Sequence, residues 1–170
     1  IGNCLQNLGK KTDAIKSYKK SIKLKPDQTE AHYNLACTYE SIGQVYAALK
    51  TYKHTLAINP NAIKAKYNLA LLQLDNGFIT EGFKNHESRW EYEEFPSPYR
   101  QFSIPRWKGE SLQGKNILLW AEQGIGDEIL FASLIPEFKE LGCNVGIECA
   151  AKLVELFQWS FPWAEVRETG

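Results

Sequence analysis

Two groups of side chains have the types and spacing that binding or catalysis would need. Asp127 closes a glycine-containing loop, EQGIGD at 122–127, which follows a short apolar segment. Asn34 and Asn68 stand 34 residues apart in matching sequence contexts. A carboxylate can take a proton from a reacting hydroxyl, and a primary amide can both donate and accept hydrogen bonds with a peptide backbone. The elements that position these groups decide which chemistry is available.

The asparagine spacing belongs to an internal repeat of 34 residues. Alanines at two positions of the repeat would let paired helices approach closely, tyrosine and leucine would fill the space between them, and glycine would end the first helix of each pair. Proline would follow the second helix. The matching sets are Gly9, Gly43 and Gly77; Ala14 and Ala48; Tyr18 and Tyr52; Pro26 and Pro60; Leu35 and Leu69; Ala36 and Ala70. The period predicts helices at about 1–8, 11–24, 29–42, 45–58, 63–76 and 79–93.

This pattern resembles that of tetratricopeptide repeats, over residues 1–94 and about two and a half repeats. The third repeat is degenerate, with Gly82, His86 and Glu94 in place of the small residue, the tyrosine and the proline. Such repeats stack into an α-helical superhelix whose concave face is lined by the first helix of each pair. The resemblance implies a protein or peptide partner on that face. Its expected residues are Tyr33, Asn34, Cys37, Tyr67, Asn68 and Leu71.

Asn34 and Asn68 have two explanations that the sequence leaves equal. They resemble the asparagine ladder in the repeats of O-GlcNAc transferases, where the amides bind a peptide backbone. Alternatively, each is a solvent-facing asparagine that a helix simply tolerates.

A change of pattern marks a second unit. Three prolines, Pro96, Pro98 and Pro105, fall in a segment without helical periodicity, which predicts an extended, packed linker at 95–114. From residue 115 to 170 strand and helix patterns alternate. We expect strands at 116–121, 144–149 and 164–168, with helices at 127–141 and 150–159. This order implies a parallel sheet, that is, part of a Rossmann-like α/β unit.

The 122–127 loop would lie at the carboxyl end of the first strand, where open α/β sheets bind ligands. Its candidate ligand-binding residues are Glu122, Gln123, Gly124 and Gly126. A pyrophosphate is disfavoured, because Ile129 stands where a third glycine would be and Asp127 would repel an anion at the helix start. Asp127 could cap that helix, act as a general base, or do both.

Four stretches resemble a bacterial family in which tetratricopeptide repeats precede a heptosyltransferase-like glycosyltransferase domain of the GT-B class. They are EGFKNHESRW at 81–90, PRWKGESLQGK at 105–115, LLWAEQGIGDEILFASLIP at 118–136 and GCNVGIEC at 142–149. The resemblance implies an inverting glycosyltransferase with Asp127 as candidate catalytic base. It also implies a nucleotide-sugar donor bound by a further domain, so this chain alone would be inactive and would hold no cofactor. The alternative is a non-enzymatic scaffold or adaptor whose α/β unit only caps the repeats.

Composition narrows the partner classes. The 170 residues are 44% apolar and 24% charged, and no apolar run is long enough to span a bilayer. Residues 1–60 carry nine lysines and four acidic residues, most simply a solvated helix face. No arginine accompanies those lysines, which disfavours nucleic-acid binding.

Cysteine and methionine usage gives the remaining expectations. The four cysteines show neither C-x-x-C pairing nor metal-type spacing to histidine, so we expect no disulfide framework, no metal site and a reducing cytoplasm. The chain has no methionine and starts inside a helical pattern, which suggests an internal fragment of a longer protein. Oligomeric state is left open.

Overall fold

A computed structural model describes residues 1–97 and 99–169. Pro98, one of the three prolines of the predicted linker, and Gly170, the last residue of the predicted second unit, lie outside the described residues. The chain divides into two compact units, Ile1–Phe95 and Pro96–Gly170. The first is helical and the second contains a parallel sheet, as the change of sequence pattern predicts.

The helical unit consists of paired helices whose bounds agree with the 34-residue period to within a residue or two for the first five. The helices are α1 (Gly2–Asn7), α2 (Lys11–Leu24), α3 (Thr29–Ser41), α4 (Val45–Ile58), α5 (Ile63–Asp75) and α6 (Ile79–His86).

The first helix of each pair ends in the same hydrogen-bonded cap. Gly9, Gly43 and Gly77 have φ of +74°, +73° and +79°, a left-handed conformation that favours glycine. After Gly9 the Lys10 amide donates to the Leu5 carbonyl, and equivalent bonds follow Gly43 and Gly77. These are Schellman caps, which satisfy carbonyls left free at a helix end. The predicted role of the three glycines is confirmed.

The prediction that alanines lie where the helices approach closely is also confirmed. Ala14, Ala36, Ala48 and Ala70 have no exposed surface, so backbones approach closely at each. Gly82 continues this series in α6. A Cβ built on it would lie 2.7 Å from the Leu74 side chain and 3.1 Å from the Leu74 amide nitrogen, so α5 and α6 pack more closely than alanine allows.

The predicted sixth helix, 79–93, is too long. Helix α6 stops at His86 and a 3-10 turn continues from Glu87 to Glu91. The Tyr92 amide then donates to the Arg89 carbonyl, and the Phe95 amide to the Tyr92 carbonyl. The α-helix therefore ends about two turns before the predicted end. Aromatic packing of the following residues, described below, accounts for this earlier end.

The second unit is a three-stranded sheet covered by helices. All three strands are parallel, in the order β1-β2-β3, with Trp120 opposite Glu148 and Glu148 opposite Arg167. One face of the sheet packs on the helices around Val145, Ile147 and Phe157. The elements are β1 (Asn116–Trp120), α7 (Ile125–Ala132), α8 (Ile135–Glu140), β2 (Asn144–Cys149), α9 (Val154–Ser160) and β3 (Glu165–Glu168).

The single helix predicted at 127–141 is two helices. Helix α7 ends at Ala132 and α8 begins at Ile135, with Pro136 in its first turn. Because proline has no amide hydrogen, it cannot donate to the carbonyl four residues earlier, and it is tolerated only in a first turn. The predicted helix at 150–159 likewise begins as a 3-10 turn at Ala151–Leu153. Gly142 ends α8 with φ of +68°.

The segment before β1 packs within the second unit. The Phe102 and Trp120 rings lie 5.6 Å apart, and Trp107 contacts Phe138 at 5.7 Å. Leu112 is buried, and the Gly114 amide donates to the Gly142 carbonyl. These contacts place residues 99–114 against the sheet and α8, which agrees with the prediction that this segment is packed.

Candidate functional sites

The first candidate site lies on the first helices of the repeats, around the buried Tyr52 hydroxyl. This hydroxyl donates to Glu40 Oε2 at 2.7 Å and lies 3.2 Å from Cys37 Sγ. The Asn68 amide nitrogen donates to the Tyr33 hydroxyl at 3.2 Å and lies 3.5 Å from the Tyr52 hydroxyl. Three of the predicted concave-face residues, Tyr33, Cys37 and Asn68, therefore meet in one cluster that joins α3 and α5.

The same arrangement occurs one repeat earlier. The Tyr18 hydroxyl approaches Asn3 Oδ1 at 2.7 Å and Gln6 Oε1 at 2.9 Å, and the Asn34 amide nitrogen donates to Asn3 Oδ1 at 3.3 Å. Tyr18, Gln6 and Asn34 stand 34 residues before their counterparts in the Tyr52 cluster. Each asparagine thus donates to the first helix of the preceding repeat and fixes its own orientation.

The amide oxygens of the two asparagines remain available. Both side chains are half-buried, and neither Asn34 Oδ1 nor Asn68 Oδ1 accepts a hydrogen bond from residues 1–97 or 99–169. Their amide nitrogens are engaged, so the free oxygens are held at a spacing of one repeat. An oriented acceptor of this kind suits a backbone N–H of an extended peptide.

The tyrosines in these clusters act as neutral hydrogen-bond donors. Burial raises the pKa of Tyr52 far above its usual value, and Cys37 and Glu40 raise it further. Burial, followed by Cys37, also raises the pKa of Tyr33. Burial raises the pKa of Tyr18 as well. All three phenols therefore remain protonated near neutral pH and offer an O–H rather than a charge.

Two of the predicted concave-face residues have different surroundings. Leu71 is exposed, at 36% of its surface. Tyr67 packs against the residues that follow α6, with its ring centroid 4.8 Å from that of Tyr92 and 6.1 Å from that of Phe95. The His86 ring also stacks on Tyr67 at 5.8 Å. The chain itself thus covers α5 at the third repeat.

The second candidate site is the loop after β1. The N-cap of α7 is Gly124, so Asp127 is the third residue of the helix and not its cap. The prediction that Asp127 caps α7 is therefore wrong, because the helix begins earlier than the glycines of the loop suggested. Its amide donates to the Gly124 carbonyl at 2.9 Å. A carboxylate in the first turn still interacts favourably with the helix dipole.

Asp127 is half-buried, and its carboxylate forms no hydrogen bond or ion pair with the described residues. Its neighbour Glu128 differs, because Glu128 Oε2 accepts the Ala150 amide at 2.9 Å and so ties α7 to the end of β2. Gln123, Gly124 and Gly126 are exposed, and Glu122 is half-buried, with its carbonyl accepting the Ser97 hydroxyl. The sequence-predicted loop residues are therefore close together, with one carboxylate available.

A buried charged cluster on the sheet was not predicted. Glu148 on β2 is only 7% exposed and accepts hydrogen bonds from Arg100 Nη1 at 2.7 Å and Arg167 Nη2 at 2.6 Å. The Arg100 guanidinium also lies over the Phe102 and Trp120 rings. Burial raises the pKa of Glu148, but the two arginines outweigh it and hold the pKa below its usual value. The sequence feature that could have indicated this cluster is the single acidic residue in the mostly apolar strand NVGIEC, since a buried carboxylate needs charged or hydrogen-bonding partners.

The described part of the chain contains neither a candidate metal site nor a candidate membrane span. No group of three or more histidine, cysteine, aspartate or glutamate side chains in it could hold a metal ion. None of its helices is both long and apolar enough to cross a membrane.

The helical unit matches known repeats. Family models described as "TPR repeat" and "Tetratricopeptide repeat" match residues 2–43 and 29–62. The crystal structure of MamA superimposes with a TM-score of 0.51 at 28% identity, over 55% of this chain and 54% of that one. The first TPR domain of Spaghetti (RPAP3), solved with the HSP90 peptide SRMEEVD, gives a TM-score of 0.52 at 24% identity over 54% and 73%. Residues 2–62 thus carry tetratricopeptide repeats.

One curated relative is similar along nearly the whole chain. Protein FlbA of Caulobacter vibrioides (strain ATCC 19089 / CIP 103742 / CB 15) is 31% identical over 172 aligned residues, which cover 98% of this chain. They cover 29% of FlbA, so the chain spans less than a third of that relative. The similarity extends through both the repeats and the α/β unit.

Proposed function

We propose that the repeat unit binds an extended peptide segment of a partner protein along α1, α3 and α5. The observation that carries the proposal is the pair of oriented amide oxygens on Asn34 and Asn68, which accept no hydrogen bond from the residues that the structure describes. Peptide binding by the RPAP3 domain, which has the same fold, supports it. Burial keeps the Tyr33 hydroxyl beside Asn68 neutral, so it adds no charge to this surface.

A displayed library of random 12-residue peptides tests this proposal. Peptides selected on the 170-residue chain should lose about tenfold or more in affinity when Asn34 and Asn68 are both changed to alanine, since two hydrogen bonds of about 0.5–1.5 kcal/mol each are lost. The matched control is Tyr46→Ala, because Tyr46 is 82% exposed on α4, a second helix. If no peptide is selected, or if the double variant binds as the wild type does, the proposal is wrong.

We further propose that the α/β unit is the acceptor-side part of an inverting glycosyltransferase in a longer protein. The parallel order β1-β2-β3 supports this. So does the half-buried Asp127 at the carboxyl end of β1, whose carboxylate has no partner among the described residues. In the proposal Asp127 takes the proton from an acceptor hydroxyl, while Glu122, Gln123, Gly124 and Gly126 form the loop beside the acceptor. The nucleotide sugar belongs to the longer protein, and this chain alone does not catalyse transfer.

Asp127→Asn in the full-length protein tests the second proposal. Because Gly124 is the N-cap, the substitution should leave α7 and the melting temperature almost unchanged. Loss of a general base should lower transfer from a panel of nucleotide sugars by about 10²–10⁴-fold. Glu122→Gln is the matched control and should have a milder effect. Unchanged transfer in Asp127→Asn, or turnover by the isolated 170-residue chain, would contradict the proposal.

The alternative proposal is a non-enzymatic scaffold whose α/β unit only caps the repeats, and the similarities above fit it equally well. The same assay separates the two. A scaffold predicts no transfer by the full-length protein with any of the nucleotide sugars, while library peptides still bind through Asn34 and Asn68.

A further inference from the structure

The residues after α6 return to the surface on which peptide binding is proposed. The Tyr92 ring packs on Tyr67 of α5, and Phe95 meets the same ring edge-on. Glu94 Oε1 pairs with Lys64 Nζ, also on α5, at 2.9 Å. We name Lys64 and Tyr67 the α5 patch and residues 92–95 the return segment.

The return segment makes the contacts that a bound peptide would make. It is irregular chain rather than helix, and its two glutamates have one aromatic residue on each side. Both aromatic rings and one carboxylate contact the α5 patch. The Tyr92 hydroxyl donates to Glu94 Oε2 at 2.7 Å, which orients that carboxylate. Tyr67 is moreover one of the residues expected on the peptide-binding face.

These contacts are weak enough to be reversible. The Lys64 and Glu94 side chains are 58% and 64% exposed, and Tyr92 and Phe95 are only half-buried. Exposed ion pairs and partly buried ring contacts each contribute little to stability. A segment held in this way can leave its site without unfolding the helices beneath it.

We infer that the return segment is an intramolecular ligand of the α5 patch. The partner that displaces this segment is a peptide with an acidic residue between two aromatic residues. The inference rests on the proposed peptide-binding function and names the ligand class for the third repeat. A tethered segment competes at an effective concentration of the order of millimolar. The apparent affinity of an external peptide is therefore its intrinsic affinity multiplied by the fraction of molecules whose patch is open.

The test uses a fluorescein-labelled peptide with the sequence WEYEEFP, residues 90–96, as probe. Fluorescence anisotropy compares the wild-type chain with the double variant Tyr92→Ala/Phe95→Ala. The double variant should bind the probe at least about tenfold more tightly, because its patch is open. Adding Tyr67→Ala should abolish that gain. Glu91→Gln, an exposed change next to the segment, is the matched control and should bind as the wild type does.

A single charge reversal keeps the test decisive if the double variant loses helical circular dichroism. Glu94→Lys weakens the segment's hold on Lys64 but leaves the patch intact. It should tighten probe binding by about two- to fivefold relative to Glu91→Lys, the range expected for an exposed ion pair. Equal probe affinity in the wild type and in every folded variant, or no binding by any of them, overturns the inference.

The outcome is distinguishable from failure of the proposed function. If library peptides bind through Asn34 and Asn68 but probe binding does not depend on Tyr67, the proposed peptide-binding function stands and the inference about the return segment fails. Conversely, probe binding that depends on Tyr67, with no dependence of library peptides on either asparagine, would sustain the return segment as a ligand and refute the asparagine-based site.

Discussion

The helical unit and the α/β unit bury their apolar surface differently. In the helical unit the fully buried positions are mostly alanines that recur in every repeat. A tyrosine or a leucine fills the space beside each alanine, as Tyr52 does beside Ala48. In the α/β unit the core lies on one face of the sheet, and α7 leaves Ile129, Leu130 and Phe131 between 50% and 64% exposed. An apolar helix surface of this kind is typical of an interaction site.

Polar contacts show the same difference. In the helical unit the Tyr18 and Tyr52 hydroxyls make equivalent bonds one repeat apart, so each contact joins neighbouring helices. In the α/β unit one buried carboxylate, Glu148, joins Arg100 and Arg167, which are 48 and 19 residues away. Repeat units are stabilised by nearest-neighbour contacts, whereas the sheet depends on single long-range ones. Substitutions should therefore have local effects in one unit and distant effects in the other.

Tyr52→Ala should have the largest effect on stability. Tyr52 is completely buried, and its loss removes a ring from the α3–α4 contact together with its bond to Glu40. Truncation of a buried aromatic residue costs about 3–5 kcal/mol. Urea unfolding followed by far-ultraviolet circular dichroism measures it. Tyr46→Ala, at an 82% exposed position, should stay within about 0.5 kcal/mol. A loss below about 1 kcal/mol for Tyr52→Ala would show that the repeat core can repack.

The accuracy of the sequence-based predictions follows this division. Gly43, Ala48 and Tyr52 were predictable because each acts on neighbouring residues or on the next helix, and a 34-residue period repeats that signal. The end of α6 at His86 was not, because packing of Tyr92 and Phe95 on Tyr67 sets it and the third repeat has lost the period.

In the α/β unit the strands were predictable and the site geometry was not. Five consecutive apolar residues at 117–121 mark β1, and Val145, Ile147 and Cys149 alternate along β2. In contrast, the N-cap of α7 at Gly124 shifts Asp127 from the cap into the first turn. Pro136 did carry a signal for the break between α7 and α8. The Glu148 cluster could not be located, because its partners lie far along the chain.

Glu148→Gln should have the next largest effect, confined to the α/β unit. It removes the charge that two arginines share, and hydrogen bonds to charged groups contribute about 1.5–3 kcal/mol. Hydrogen exchange of the β1 and β2 amides should accelerate, while amides of α3 and α4 should not. Arg167→Lys, which keeps a charge at a more exposed position, is the control and should have a smaller effect. Equal acceleration in α3 would show that the effect is not confined to the α/β unit.

The same cluster predicts a pH dependence. Its arginines hold the pKa of Glu148 in the folded chain below the value of about 4.3 expected when unfolded. Its stabilising contribution is therefore complete above about pH 4.3 and is lost as the pH falls through the lower, folded value. Protection of the β2 amides should fall in that acidic range in the wild type. Glu148→Gln should show a smaller change there, and an unchanged slope would exclude Glu148 as its source.

Gly43→Ala should destabilise the helical unit by about 1–2 kcal/mol. A Cβ there would meet no atom of the described residues within 4 Å, so the cost comes only from φ of +73°, which an L-residue adopts unfavourably. Gly43→Asn is the control, because asparagine tolerates the left-handed conformation better. Thermal unfolding measures both. If alanine and asparagine behaved alike, space or solvation rather than backbone conformation would determine the cap.

Gly126→Ala should have the smallest effect and the opposite sign. Gly126 lies in the first turn of α7 and does not have a positive φ. A Cβ there would meet no atom within 4 Å in the part of the chain that the structure describes. Alanine should therefore stabilise the α/β unit by about 0.4–1 kcal/mol, mainly by restricting the unfolded chain. Because the fold does not require glycine at position 126, its presence is consistent with a ligand that approaches the backbone closely beside Asp127. In the full-length protein, Gly126→Ala should then raise the melting temperature while weakening acceptor binding. A variant that is more stable and unchanged in every binding and transfer assay would exclude such a close approach of the acceptor to Gly126.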